Sequence, residues 1–143
     1  MSALATIGVS AVRAALAAAL EPDAPGQPDV IPYFADAAAP PVILIQWEDP
    51  WLEAGAGGRG MLDQSAYTAL LEVFVVTTRL EPESTLAELE RMVSYVIRRL
   101  MLDAYAWWVP RVDVPGALQL GGIDYAACRL HVRAPATPDE MEL

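Results

Sequence analysis

Few residues in this chain carry reactive side chains, and their positions decide what chemistry is open to it. There is one His, His131, and one Cys, Cys128, in 143 residues. By strand alternation over residues 123–132, His131 falls on the outer face between Arg129 and Arg133. No second His exists to share a metal, and nothing in the sequence orients the ring. An imidazole set between two guanidinium groups in this way is a poor general base, and the expectation is a solvated or subunit-facing strand surface. Cys128 falls on the inner face, where a free thiol acts as a small hydrophobe, and no neighbouring base marks it as a nucleophile. The acidic pairs Glu48/Asp49 and Glu81/Glu83 stand at a strand end and before a helix, where carboxylates are ordinarily solvated or placed near a positive helix terminus.

Gly55, Gly57 and Gly60 satisfy the G-x-G-x-x-G spacing that lets a backbone approach a pyrophosphate. That mechanism needs a strand turning tightly into a helix, whereas this stretch follows Asp49-Pro50 and leads into strand-like sequence. A glycine-rich hairpin tip is the reading. Neither a catalytic group, a cofactor nor a metal is expected, and the chain is not read as an enzyme.

The elements that must position these residues follow from periodicity. Over residues 2–20, Leu4, Ile7, Val12, Leu16 and Leu20 fall on one helical stripe, and the prolines of residues 21–28 end it. Residues 30–34 read as extended, and residues 36–40 as a loop. Val42-Ile43-Leu44-Ile45 is a continuous β-favouring run, expected to be covered on both faces or by a neighbouring subunit. The strand over residues 41–47 passes through acidic, proline-interrupted Glu48-Asp49-Pro50-Trp51 into the glycines Gly55, Gly57, Gly58 and Gly60, with Arg59 among them. A return strand begins near Ser65, so the segment reads as a long β-hairpin arm, and so long a connection suggests a binding loop.

In residues 67–78 Leu71, Val73, Val75 and Thr77 share one face, and Leu70, Glu72, Phe74 and Val76 the other. Thr85 to Glu88 reads as a capping box opening a helix to about Leu102, with Leu86, Leu89, Val93, Val96, Ile97 and Leu100 as its stripe. Residues 104–114 read as extended, Pro115-Gly116 as a turn and residues 123–132 as a final strand. Adjacent Trp107 and Trp108 must then point to opposite faces, exposing one ring, and an exposed Trp usually marks an interface. The class is α+β: a mixed, mainly antiparallel sheet of four to five strands flanked by two helices. It forms a single domain over residues 1–133, with an acidic, mobile tail from residue 134 to 143.

Composition narrows the partners. A net charge of −10 argues against gripping nucleic acid through its phosphates. No stretch reaches the roughly 20 apolar residues of a membrane span, and no basic segment opens a signal peptide. All nine basic residues are Arg, with no Lys and no Asn, which with the heavy Ala and Pro content suggests a GC-rich coding genome.

Three segments together resemble a known family: Val12-Arg13-Ala14-Ala15-Leu16, Pro41-Val42-Ile43-Leu44-Ile45 before the hairpin, and Glu72-Val73-Phe74-Val75-Val76 leading to the residue 85–102 helix. Over residues 10–133 the chain resembles the tail terminator proteins of long-tailed bacteriophages (siphoviruses), especially those of high-GC actinobacterial hosts. The resemblance implies a hexameric ring that caps the tail tube and joins the tail to the neck and head. It places the protein in the virion at the tail–neck junction and in host cytoplasm during assembly. Its implied partners are further copies of itself, the tube protein and the neck or head–tail connector proteins. DNA would pass through an acidic lumen without specific binding. Trp51, Gly55, Gly57, Gly58, Arg59 and Gly60 would meet the tube or an adjacent subunit, and Trp107, Trp108, Arg129 and Arg133 would form ring contacts. Another neck protein, such as a head completion or head–tail adaptor protein, and a small ligand-binding domain or enzyme stay open as alternatives.

Overall fold

The computed structural model describes residues 6–54, 67–78 and 81–139. Its elements run α1 (Val9–Leu20), β1 (Asp29–Ile31), β2 (Val42–Ala54), β3 (Tyr67–Thr77), α2 (Pro82–Leu102), β4 (Trp108–Val112), β5 (Gly116–Leu120) and β6 (Ile123–Ala136). The class is α+β as expected, but the sheet has six strands, ordered β1-β2-β3-β6-β4 with β5 also paired to β6. β1 runs parallel to β2, and every other pairing is antiparallel.

The apolar run of β2 is covered on both faces by its own chain. Ile43 and Ile45 join Leu71, Val73, Val75, Leu130 and Val132 in the core beneath the two helices. Val42 and Leu44 join Val76, Leu120 and Ala127 in a smaller core on the opposite face. Each aliphatic side chain fully buried this way stabilises the fold by about 1.5–3 kcal/mol relative to exposure. The Phe34 ring closes edge-on against Phe74 at a centroid distance of 5.9 Å, so this second face of β3 needs no partner to cover it there.

Both helices begin elsewhere than the sequence suggests. α2 starts at Pro82, whose locked φ suits the first turn. Thr85 is already inside, its amide donating to the Glu81 carbonyl at 2.9 Å, so the N-cap falls at Glu81 and not at the Thr85 expected to open a capping box. Its buried stripe is Leu89, Met92, Val96 and Leu100, while Leu86 is half exposed. α1 starts at Val9 because Ile7-Gly8 is held extended against the C-terminal segment. The Val9 amide donates to the Thr137 carbonyl at 2.9 Å, and the Thr137 amide to the Ile7 carbonyl at 3.0 Å. Gly8 offers no capping side chain. Asp139 Oδ1 accepts from the Ser10 amide at 3.0 Å instead, placing a carboxylate at the positive helix end.

That contact corrects the boundary set at residue 133. β6 continues through Ala136, pairing Ala134, Pro135 and Ala136 with Ala69, Thr68 and Tyr67, and Ala134 and Ala136 are fully buried. Residues 140–143 of the expected mobile tail lie outside the described residues.

β5 is the strand the sequence reading omitted. Gly121 and Gly122 take positive φ of 56° and 81°, which turns β5 into β6 in a tight hairpin. β4 and β5 lie along the same side of β6, so they form one edge strand broken at Asp113–Pro115, where the expected Pro115-Gly116 turn falls. None of the described helices is long and apolar enough to cross a membrane.

Candidate functional site

Glu48 and the residues beside it do not leave the sheet as the acidic start of an arm. β2 continues to Ala54, and its register jumps from Trp47 opposite Leu71 to Leu52 opposite Ala69. Residues 48–51 therefore stand against the single residue Leu70, a wide bulge of the kind that re-aims side chains. Here the bulge sends Glu48 over β3 to reach β6, two strands away. Its Oε2 accepts from Arg133 Nη1 at 2.5 Å and lies 2.9 Å from His131 Nδ1.

The sequence reading placed His131 correctly beside Arg129 and Arg133, but not in solvent. The residue is 2% exposed, and its other nitrogen, Nε2, lies 3.0 Å from Asp113 Oδ2 at the break between β4 and β5. Two acids from distant segments thus orient a ring that had no visible partner in the sequence. Arg129 extends the network: its Nε donates to Asp113 Oδ2 and its Nη1 to Glu72 Oε2, both at 2.8 Å. Glu72 Oε1 accepts from Gln46 Nε2 at 3.0 Å. Glu72 is paired directly opposite His131 in the sheet register, so its arrival at this face follows from alternation.

The electrostatics follow from these contacts. Burial of Glu48 works to raise its carboxyl, but hydrogen bonds and charge from Arg133 and His131 outweigh it and hold the group below its ordinary value. Hydrogen bonds from His131 and then Arg129 lower Asp113. Burial pushes the Cys128 thiol up, and the nearby Asp113 charge adds to the rise. Its S–H donates to the Asp113 carbonyl at 3.0 Å, so Cys128 sits as the small core residue expected.

Such a network braces a sheet face. Both ring nitrogens of His131 lie within hydrogen-bond distance of carboxylates. Among the described residues, no three or more His, Cys, Asp or Glu are grouped to hold a metal ion. Two hollows, of about 400 and 300 Å³, lie between α2 and the broken β4–β5 edge. They share Leu86, Leu89 and Pro115, and are mainly apolar.

The expected interface residues separate into two groups. Trp107 is buried, packed edge-on to Tyr105 at 5.1 Å and donating its Nε1 to Asp103 Oδ2 at 2.8 Å, so it serves its own core. Arg133 is likewise engaged by Glu48 and only 17% exposed, and Arg129 is tied to two acids. Trp108 is 46% exposed and Trp51 43%, the latter resting edge-on against Trp47 at 4.7 Å. Gly55, Gly57, Gly58, Arg59 and Gly60 lie outside the described residues. The acids Glu48, Glu72 and Asp113 were missed as site members. The available signal was Pro50 inside a strand, which marks a bulge or an edge.

Comparison with known proteins adds nothing to this geometry: no protein-family model, curated protein or solved structure matches the chain.

Proposed function

We propose that the protein is a structural ring component of a siphovirus, the tail terminator that caps the tail tube and joins it to the neck. One observation carries the reading. Among the described residues, His131 and Cys128 are engaged inside the chain, while Trp51 and Trp108 stand half exposed on β2 and β4, which flank the β3–β6 pair on opposite sides. A large aromatic left at a sheet end is the kind of anchor protein interfaces are built on. The order of helix, hairpin, helix and closing strands agrees with the resemblance read from the sequence. The acidic balance suits a lumen that DNA must slide through without adhering. Residues 55–60 are the part assigned to tube contact.

The test is addition of the purified protein to growing tail tubes assembled from the tube protein of the same phage. A terminator binds tube ends and stops elongation, and a variant lacking residues 55–60 still forms the ring but caps poorly. Binding to the portal-side assembly with no effect on tubes would move the protein to a head-side adaptor role. Indifference to both, with loss of function on substituting one polar residue such as His131, would favour a ligand-binding domain or enzyme.

A further inference from the structure

Charge is divided unevenly along the chain, and the fold brings Asp49 and Glu53 to one side of the sheet and Arg111, on β4, to the other. Every charged residue from Glu21 to Glu53 is acidic, whereas six of the nine arginines lie between Arg91 and Arg133. β1 covers only Val42, Ile43 and Leu44 of β2. Beyond them, among the described residues, no strand pairs with that side of β2, and Asp49, Trp51 and Glu53 are exposed. At the far end β4 pairs with β6 alone, and Trp108 is 46% exposed there. The Arg111 side chain is 67% exposed and pairs loosely with Asp113, Nε to Oδ1 at 3.7 Å, and Val114 follows at 85% exposure. Each end therefore offers an exposed indole beside charge: Asp49 and Glu53 at one, and at the other Arg111, whose partner Asp113 is shared with Arg129 and His131.

Backbone pairing between these ends is disfavoured. Pro50 and Pro110 lack the N–H a new ladder would use, and both strands carry bulges, the usual means of blunting an edge. Contact between the ends must run through side chains.

We propose that the end bearing Asp49, Trp51 and Glu53 docks on the end bearing Trp108, Arg111 and Val114 of a second copy of the chain. This rests on the ring reading above and supplies its subunit contact. Two different patches at opposite ends of one sheet meet head to tail, a heterologous arrangement that closes into a ring when the rotation between copies permits. The indoles and Val114 lose water at the centre, and Arg111 faces the two acids, fixing which end meets which.

The test is a charge exchange, read as native mass against concentration. Arg111→Glu alone, and Asp49→Arg with Glu53→Arg, should each raise the concentration needed for assembly at least about tenfold, the change expected for a loss of ~1.4 kcal/mol. The triple variant, with complementary charges restored at every contact, should recover most of it. All three positions are exposed, and unchanged circular dichroism verifies folding of each variant. As an independent measurement, Glu53→Cys and Val114→Cys proteins should oxidise to mixed dimers when combined, and the double variant to a ladder of higher species. Partial variants that assemble like the parent, or Glu53→Cys cross-linking only to itself, would overturn the docking while leaving the ring intact. A parent protein that stays monomeric with tube protein present would overturn the ring reading, and this contact with it.

Discussion

Replacing Glu48 by glutamine isolates the contact on which the bulge depends. The substitution keeps the shape of the side chain but removes the charge that Arg133 and His131 face at 2.5 and 2.9 Å. The side chains of Glu48, Arg133 and His131 are 15%, 17% and 3% exposed, so water replaces little of what is lost. Hydrogen bonds to charged groups contribute about 1.5–3 kcal/mol each, and breaking a buried pair costs about 3–5 kcal/mol. Because the new amide oxygen would still accept one hydrogen bond, the expected loss is about 2–3 kcal/mol. In urea, where m is about 1–3 kcal/mol/M, that lowers the midpoint by roughly 1–2 M with an unchanged slope. The control is Asp49→Asn, one residue away and exposed, which should move the midpoint by no more than about 0.5 M, since surface substitutions stay within about 0.5 kcal/mol. Both variants should be unfolded at a concentration where the parent is monomeric. Equal midpoints for the two would refute the claim that the bulge clamps β2 to β6.

Acid should act through the same contacts. Glu48 and Asp113 are held below their ordinary values in the folded chain, so on acidification the unfolded chain takes up their protons first. Their stabilisation is complete above about pH 5 and is lost as pH falls through the lowered folded values, and Glu48→Gln should show a shallower loss between about pH 5 and 3 in urea midpoints. Asp139→Ala removes the acceptor that caps α1 and should cost about 0.5–1 kcal/mol, read as a matching shift of the urea midpoint. Leu44→Ala should cost about 2–5 kcal/mol in the monomer, because the second core forms within one chain; a cost under about 1 kcal/mol would mean that face is closed only by a partner.

Local patterns reported what local forces decide. The alternation of β3 and β6 was legible because burial repeats at fixed spacing, and the stripe of α2 was legible in part: Leu89, Val96 and Leu100 are buried as expected, whereas Met92 joins them and Leu86 is half exposed. Misreadings arose where a distant segment prevailed over a local signal. Pro50 and two acids read as a strand end, yet pairing of residues 52–54 with β3 carries β2 past them through a bulge. Pro135 and the acids after it read as a mobile tail, yet the edges of β3 and α1 hold residues 134–139 in place. Gly121-Gly122 was a hairpin signal between short segments that went unused. For the polar network, spacing was uninformative: Glu48, Asp113 and His131 are brought together by topology, across up to 83 residues of chain.

Assembly into a ring can be read from native mass, taken at two concentrations with and without tube protein. The expected result is a hexamer of the 15.4-kDa chain, or a monomer that becomes a ring when tube protein is added. A mass that stays at 15.4 kDa under all four conditions would contradict it.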